Sequence, residues 1–194
     1  MSEAGLRSLC VFCGSKLGGK PAYEAAALAL GKELLRRGIG LTYGGGDVGL
    51  MGVVSRTVRE GGGRVTGVIP GKLAPREVSG ALSGDTIVVE TMHQRKALMA
   101  EKSDAFLALP GGVGTLEELL EMGTWLQLGM SNKPVGILNV EGYYDGLLTQ
   151  LATASSEGFT GTTIFTVESG VCELLDALER AVAARNGAAL SDIV

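Results

Sequence analysis

The 194-residue sequence contains few of the residues that support very small or fibrous folds. It has three cysteines and five prolines, and aromatic residues make up only 5%. Three cysteines cannot all form pairs, and a chain of this length buries enough surface to fold without a disulfide or a metal. Few prolines beside 31 glycines, with no three-residue glycine period, exclude collagen. We therefore predict a single α/β domain over residues 1–194, ending in a flexible tail at 187–194.

Excess positive charge and long apolar runs are also missing. The net charge is −4 and the isoelectric point is about 5.1, which argues against a surface for nucleic acids or anionic membranes. No apolar run approaches the ~18 residues of a membrane-spanning helix. The apolar run at 9–13 is too short for the core of a signal peptide. We expect a cytoplasmic protein with no nucleic-acid partner and no membrane partner.

Two of the cysteines, Cys10 and Cys13, have the spacing of a redox pair. They lie in an apolar run typical of a strand, where side chains three residues apart point to opposite faces. A redox Cys-x-x-Cys pair instead sits at a helix N-terminus, which lowers the thiol pKa. We therefore predict that both thiols are structural.

Apolar runs of strand length alternate with helical segments along the chain. The predicted strands are residues 6–14, 39–43, 64–70, 86–91, 105–109, 135–139 and 164–167, and the predicted helices are residues 21–37, 48–60, 92–102, 115–129, 143–156 and 170–185. This alternation favours a Rossmann-like, doubly wound α/β fold with a mostly parallel sheet and helices on both faces. Ligands of such sheets bind at the carboxyl ends of the strands, so the loops after strands are the candidate sites.

The loop after the first predicted strand begins with Gly14 and Ser15. Residues 14–20 match Gly-x-x-x-x-Gly-Lys, but Pro21 stands where a P-loop needs a Ser or Thr to bind Mg²⁺. We therefore expect no ATP or GTP P-loop here. A looser contact of Gly14 and Ser15 with a phosphate or a ribose fits the sequence.

The loop after the second predicted strand, residues 44–49, fits Gly-x-Gly-x-x-Gly. NAD binding is not expected, because no acidic residue follows at the end of the next strand to hold the ribose. Two interpretations of Gly45 and Gly46 remain. They either let a ligand approach the backbone closely, or they form a tight turn that packs a helix against a strand.

The third glycine-rich loop, residues 110–118, follows a strongly apolar strand and opens a predicted helix at Thr115. Backbone amides and the positive dipole end of a helix bind anions. The predicted phosphate cradle consists of Gly111, Gly112, Val113, Gly114 and Thr115. Alternatively, Thr115 and Glu118 form a capping box that needs no ligand. Capping alone does not require three nearby glycines, which favours the phosphate cradle.

A fourth segment combines a second capping box with two cations. Thr91 and Gln94 predict a helix start, which places Arg95 and Lys96 near the positive helix end. Cations there are disfavoured by roughly 0.3–1 kcal/mol each. A nearby anion or solvation at the surface would offset this cost. The single histidine, His93, is either a base or a structural residue.

The segments Pro110-Gly-Gly-x-Gly-Thr-x-x-Glu118 and Met92-His-x-Arg-Lys96 together resemble the signature of the LONELY GUY family. Residues 11–15, 43–52, 67–70, 124–129, 133–136 and 139–144 extend the likeness over nearly the whole chain. Members of this family are cytokinin riboside 5′-monophosphate phosphoribohydrolases, and many carry an older lysine decarboxylase label. The resemblance implies hydrolysis of the N-glycosidic bond of a nucleoside 5′-monophosphate to free base and ribose 5-phosphate. AMP and a cytokinin riboside 5′-monophosphate are both possible substrates.

The same resemblance assigns roles to individual residues. Glu118 and Arg95 are the expected catalytic residues, with Glu118 acting on the ribose or an attacking water. Met92, Lys96 and Arg76 are expected to bind the substrate. The family also implies a homodimer, and we expect neither a cofactor nor a metal. Gln94 stands where the family has a glutamate, a difference not expected to alter the reaction.

Two other functions remain open from the sequence. A pyridoxal-phosphate lysine decarboxylase needs a Schiff-base lysine, and no lysine has a convincing setting for that role. A non-catalytic nucleotide or molybdenum-cofactor carrier protein would use a similar Gly-Gly-x-Gly-Thr loop. The pairing of Glu118 with Arg95 favours the enzyme. Met122, Trp125 and Leu126 belong either to a dimer interface or to the core.

Overall fold

The computed structural model describes residues 5–74, 85–161 and 164–191. The strands are β1 (Ser8–Phe12), β2 (Gly40–Tyr43), β3 (Val65–Pro70), β4 (Thr86–Val89), β5 (Ala105–Ala108), β6 (Val135–Leu138) and β7 (Phe165–Glu168). The helices are α1 (Pro21–Arg37), α2 (Gly49–Glu60), α3 (Met92–Glu101), α4 (Val113–Gln127), α5 (Asp145–Ser156) and α6 (Val171–Ser191), and a 3₁₀ turn covers Val140–Gly142. Helix α6 includes part of the segment 187–194 for which we predict a tail. Residues 75–84, including the predicted substrate-binding residue Arg76, lie outside the described residues.

The described strands form one sheet in the order β4-β3-β2-β1-β5-β6-β7, with every neighbouring pair parallel. The chain builds outward from β1 to one edge and then returns to place β5 on the other side of β1. This confirms the doubly wound α/β fold. The change of direction leaves a crevice at the carboxyl ends of β1 and β5, where ligands of such sheets bind.

Each face of the sheet carries its own apolar core. Leu9 and Val11 of β1 pack with α1, α2 and α6 on one face, whereas Cys10 and Phe12 pack with α3, α4 and α5 on the other. Cys13 belongs to the first of these cores and Cys10 to the second, as the strand interpretation of the two cysteines predicts. Both cysteines are buried and unpaired.

Local sequence signals account for several helix ends. Helix α1 begins at Pro21 and is closed by Gly38 in the left-handed conformation. Helix α3 has the predicted capping box, in which Thr91 Oγ1 accepts from the Gln94 amide at 3.1 Å. None of the described helices is both long and apolar enough to cross a membrane.

The predicted start of α4 is wrong by two residues. The helix begins at Val113 with Gly112 as its N-cap, and no side chain caps it. Thr115 therefore lies inside the first turn, and its side chain fills the space beside Gly111. The capping box of Thr115 with Glu118 does not form, so it does not explain the glycines before the helix.

Candidate active site

A cavity of about 320 Å³ lies at the carboxyl ends of β1 and β5. Nine of the predicted site residues line it: Gly14, Ser15, Met92, Arg95, Gly112, Val113, Gly114, Thr115 and Glu118. The amide of Gly14 donates to the carbonyl of Pro110 at 3.0 Å, which joins the two loops directly. The fold therefore brings segments from three separate parts of the sequence into one crevice.

The glycines of the third loop have two different functions. A Cβ atom at Gly112 or Gly114 would meet nothing within 4 Å, so these positions open toward free space at the start of α4. A Cβ at Gly111 would lie 2.1 Å from Thr115 Oγ1 and 2.9 Å from the Gly14 amide nitrogen. Gly111 is therefore required by packing. The first amides of a helix have no intrahelical acceptor, so the open side of α4 suits an anion.

Arg95 and Glu118 form a buried ion pair at the wall of this cavity. Arg95 Nη2 lies 3.7 Å from Glu118 Oε1, and the two side chains are only 7% and 10% exposed. Arg95 Nη1 also contacts the sulfur of Met92 at 3.9 Å. Within residues 5–74, 85–161 and 164–191, Arg95 Nε has no hydrogen-bond partner. A buried guanidinium with an unused donor is suited to hold an oxyanion.

The second glycine-rich loop makes room for this arginine. A Cβ at Gly44 would lie 1.9 Å from Arg95 Nη2, so only glycine leaves the guanidinium in its position. Gly45 has φ +79°, and a Cβ added there would lie 2.9 Å from Ile69 Cβ. Gly45 and Gly46 are buried and do not line the cavity. The structure places these two glycines in a packed turn, and the residue that matters for the site, Gly44, is one that sequence reasoning missed.

Lys96 is neutralised by carboxylates of α4. Its Nζ lies 2.6 Å from Glu121 Oε2 and also bonds to Glu117. Burial lowers the pKa of Lys96, but the bonds to these two glutamates outweigh burial and raise the pKa above its ordinary value. Lys96 does not line the cavity. Both cations near the start of α3 are therefore paired with carboxylates of α4, and of the two only Arg95 lines the cavity.

Four further residues complete the cavity wall: Cys13, Met51, Leu73 and Glu117. Burial and then the nearby Glu118 raise the pKa of the Cys13 thiol well above its ordinary value, so the thiol is protonated. Cys13 was detectable because it directly precedes Gly14 at a strand end. Met51 and Leu73 had no sequence signal as site residues. His93 is exposed and does not line the cavity.

Over the described part of the chain, no three or more His, Cys, Asp and Glu side chains come together in a way that could hold a metal ion.

Comparison with known proteins identifies relatives over most of the chain. A family model described as "Possible lysine decarboxylase" matches residues 51–179. A rice protein, probable cytokinin riboside 5′-monophosphate phosphoribohydrolase LOG4 of Oryza sativa subsp. japonica, is 53% identical over 181 residues, which cover 92% of this chain and 79% of the rice protein. Cytokinin riboside 5′-monophosphate phosphoribohydrolase LOG2 of Arabidopsis thaliana is 56% identical over 162 residues, covering 84% of this chain and 76% of that protein.

Solved structures support the same fold. The molybdenum cofactor carrier protein of Chlamydomonas reinhardtii superposes with a TM-score of 0.67 at 25% sequence identity, covering 91% of this chain and 98% of that protein. Sequence identity to the phosphoribohydrolases is thus more than twice the identity to the carrier protein. The chain belongs to the LOG family of cytokinin riboside 5′-monophosphate phosphoribohydrolases, which the lysine decarboxylase family model includes.

Proposed function

We propose that this protein is an N-glycosidase that hydrolyses a nucleoside 5′-monophosphate to free base and ribose 5-phosphate. The observation that carries the proposal is the buried pair of Arg95 and Glu118, which lines the same cavity as the open N-terminus of α4. An anion site and a buried carboxylate in one cavity match a phosphorylated sugar. The names of the relatives agree with this reaction.

The phosphate binds at the start of α4 in this proposal. The amides of Val113, Gly114 and Thr115 face it, and the helix dipole adds attraction for a dianion. Glu118 follows Val113 by roughly 7–8 Å along the helix axis. The ribose of a nucleotide anchored by its phosphate therefore extends over the first turns of the helix toward Glu118.

Glu118 acts on the sugar as the glycosidic bond breaks. Its carboxylate orients an attacking water or a ribose hydroxyl and opposes the positive charge of an oxocarbenium-like transition state. A positioned general base of this kind contributes typically ~10²–10⁴ in rate. Arg95 keeps the carboxylate in place and offers its remaining donors to a phosphate or sugar oxygen.

The base occupies the apolar part of the cavity. Met51, Leu73 and Met92 supply this wall, and it suits either adenine or an N6-prenylated adenine. The substrate is accordingly AMP or a cytokinin riboside 5′-monophosphate. No cofactor takes part in the proposed reaction.

A lysine decarboxylase activity fits the site poorly. The lysine near the cavity, Lys96, is held protonated by Glu117 and Glu121, whereas a Schiff base forms from a neutral amine. No lysine is among the residues that line the cavity in the described part of the chain. A carrier function is less well supported, because it gives no role to the buried Arg95 and Glu118 pair.

We also propose that the protein is a cytoplasmic homodimer. Met122 is buried in the core, but Trp125 and Leu126 are only half-buried. Leu120 and Leu128 of the same region are 39% and 66% exposed. An apolar surface of this kind on α4 and its end supports contact with a second copy of the chain. Sedimentation equilibrium tests the dimer directly, and a monomer at micromolar concentration would contradict it.

A substrate panel tests the proposed reaction. AMP and an N6-prenylated AMP are incubated with the protein, and free base is measured by chromatography beside the matching nucleosides without phosphate. We expect base release from at least one nucleotide and poor release from its nucleoside. Glu118→Gln should retain nucleotide binding and lose turnover by about 10²–10⁴. Glu60→Gln, an exposed carboxylate at the end of α2, is the matched control and should remain active.

A further inference from the structure

Three consecutive carbonyl groups before α4 are held by hydrogen bonds from outside their loop. Tyr144 Oη donates to the carbonyl of Leu109 at 2.7 Å, and the Gly14 amide donates to that of Pro110 at 3.0 Å. Tyr143 Oη donates to the carbonyl of Gly111. Hydrogen bonds from other parts of the chain therefore hold the three carbonyl groups of Leu109, Pro110 and Gly111, which precede the N-cap of α4 in the proposed phosphate loop.

Tyr143 and Tyr144 directly follow a backbone turn that contains a strained residue. Glu141 has φ 52° and ψ 32°, a left-handed backbone conformation that residues other than glycine rarely adopt. Gly142 follows with φ 69°. Asn139 closes the turn, since its Oδ1 accepts from the Tyr144 amide at 2.8 Å and its Nδ2 donates to Asp145. Strained turns of this kind persist where the surrounding structure requires them, which points to a function for the residues presented.

Packing fixes the ring of Tyr143 although the residue is 41% exposed. It makes edge-to-face contacts with Tyr144 at a centroid distance of 5.0 Å and with Tyr23 at 5.6 Å. A partly exposed tyrosine would ordinarily donate its hydroxyl to water. Here the hydroxyl is directed at one backbone carbonyl of the loop.

We propose that Tyr143 is a positioning residue that aims the amide of Gly112 at the substrate phosphate, an inference that rests on the proposed function. The carbonyl of Gly111 and the N–H of Gly112 share one planar trans peptide and point in opposite directions. A hydroxyl that holds the carbonyl therefore holds the N–H away from Tyr143. Gly112 lines both the substrate cavity and the neighbouring cavity that Tyr143 lines. Because the N–H points away from Tyr143, the proposal assigns it to the substrate side. Tyr144 anchors the strand end, since the next peptide nitrogen belongs to Pro110 and has no hydrogen.

The test is Tyr143→Phe, which removes the hydroxyl and leaves the ring contacts in place. Loss of one positioning hydrogen bond should raise KM for the nucleoside 5′-monophosphate by about 3- to 10-fold. The dissociation constant of ribose 5-phosphate, measured by calorimetry, should rise by the same factor. kcat/KM for the nucleoside without phosphate should not change. A purely structural role would lower activity toward nucleotide and nucleoside alike.

Tyr23→Phe is the matched control. Tyr23 belongs to the same aromatic cluster, and no hydrogen bond of its hydroxyl is formed with another described residue, so this variant should match the wild type. Tyr144→Phe provides a second comparison, with a lower thermal midpoint because the buried Leu109 carbonyl loses its donor. Equal affinity of wild type and Tyr143→Phe for ribose 5-phosphate would overturn the positioning role.

The two proposals fail in different ways. If the wild type binds ribose 5-phosphate but releases no base from any nucleotide, the proposed reaction is wrong while the affinity comparison still tests Tyr143. If the wild type neither binds ribose 5-phosphate nor releases base from any nucleotide, both proposals are wrong. If base is released and Tyr143→Phe behaves as Tyr23→Phe does, only the positioning role fails.

Discussion

The guanidinium of Arg95 lies 3.7 Å from the carboxylate of Glu118, and both side chains are at least nine-tenths buried. The two residues belong to α3 and α4, which lie on either side of β5 in the chain. Removing one member of a buried ion pair leaves the other charge without its partner. The pair is therefore the most sensitive point of the proposed site.

Arg95→Lys should fold and lose most of its activity. A lysine retains the charge, but its side chain is shorter and carries a compact ammonium group in place of the planar guanidinium with its fork of donors. Misplacement of a positioning group by about 1 Å costs on the order of 10²-fold in rate, so we expect kcat/KM to fall by about that factor. Steady-state kinetics measure the loss. Arg180→Lys on the exposed side of α6 is the control, and equal kinetics for both variants would contradict a role for Arg95.

Gly44→Ala should lose activity with little loss of stability. The new methyl group would lie 1.9 Å from Arg95 Nη2, so the guanidinium must shift from its present position beside Glu118. The end of a long side chain moves at lower cost than backbone, which limits the destabilisation. Gly40→Ala, at the start of the strand that precedes Gly44, is the matched control, because its Cβ would have only ordinary contacts from 3.5 Å. Kinetics and urea unfolding of both variants separate the effects, and wild-type kcat/KM in Gly44→Ala would refute the explanation.

Gly111→Ala and Gly112→Ala should affect different properties of the protein: the first its stability and the second its KM for the nucleotide. A methyl at Gly111 overlaps Thr115 Oγ1 and the Gly14 amide, so we expect a loss of about 1–3 kcal/mol in the free energy of unfolding. A methyl at Gly112 meets no protein atom within 4 Å and instead enters the space proposed for the phosphate. That variant should keep most of its stability and show a raised KM for the nucleotide. Urea unfolding with kinetics tests both, and a normal KM in Gly112→Ala would argue against the phosphate position.

The three cysteines should differ in reactivity toward a thiol reagent. Burial, and then the charge of Glu118, raise the pKa of both Cys10 and Cys13, so less thiolate is present at any given pH. Cys172 is exposed. At about pH 8 a chromogenic thiol reagent should react only with Cys172 in the native protein. In the unfolded protein it should also react with Cys10 and Cys13. Rapid reaction of all three thiols in native protein would contradict the burial of Cys10 and Cys13.

Local signals explain the parts of the fold and site that could be predicted. Apolar runs with strand length, Pro21 and Gly38 at the ends of α1, and the capping box of Thr91 all act within a few residues. The same holds for the loop at 110–115, where closely spaced glycines before a helix indicate an anion site. Such patterns depend on backbone geometry and on hydrogen bonds between residues close together in the sequence, so they can be predicted from the sequence alone.

Contacts between distant segments decided the rest. Gly44 is needed because the Arg95 side chain reaches it from α3. Lys96 pairs with Glu117 and Glu121 and does not line the cavity. Tyr143 lies 32 residues from the carbonyl that it holds. Residues close together in the sequence are enough to predict the alternation of strands and helices and to mark the glycine loop as a candidate anion site. Only the tertiary structure decided which side chains meet there, because that depends on the order of the strands in the sheet.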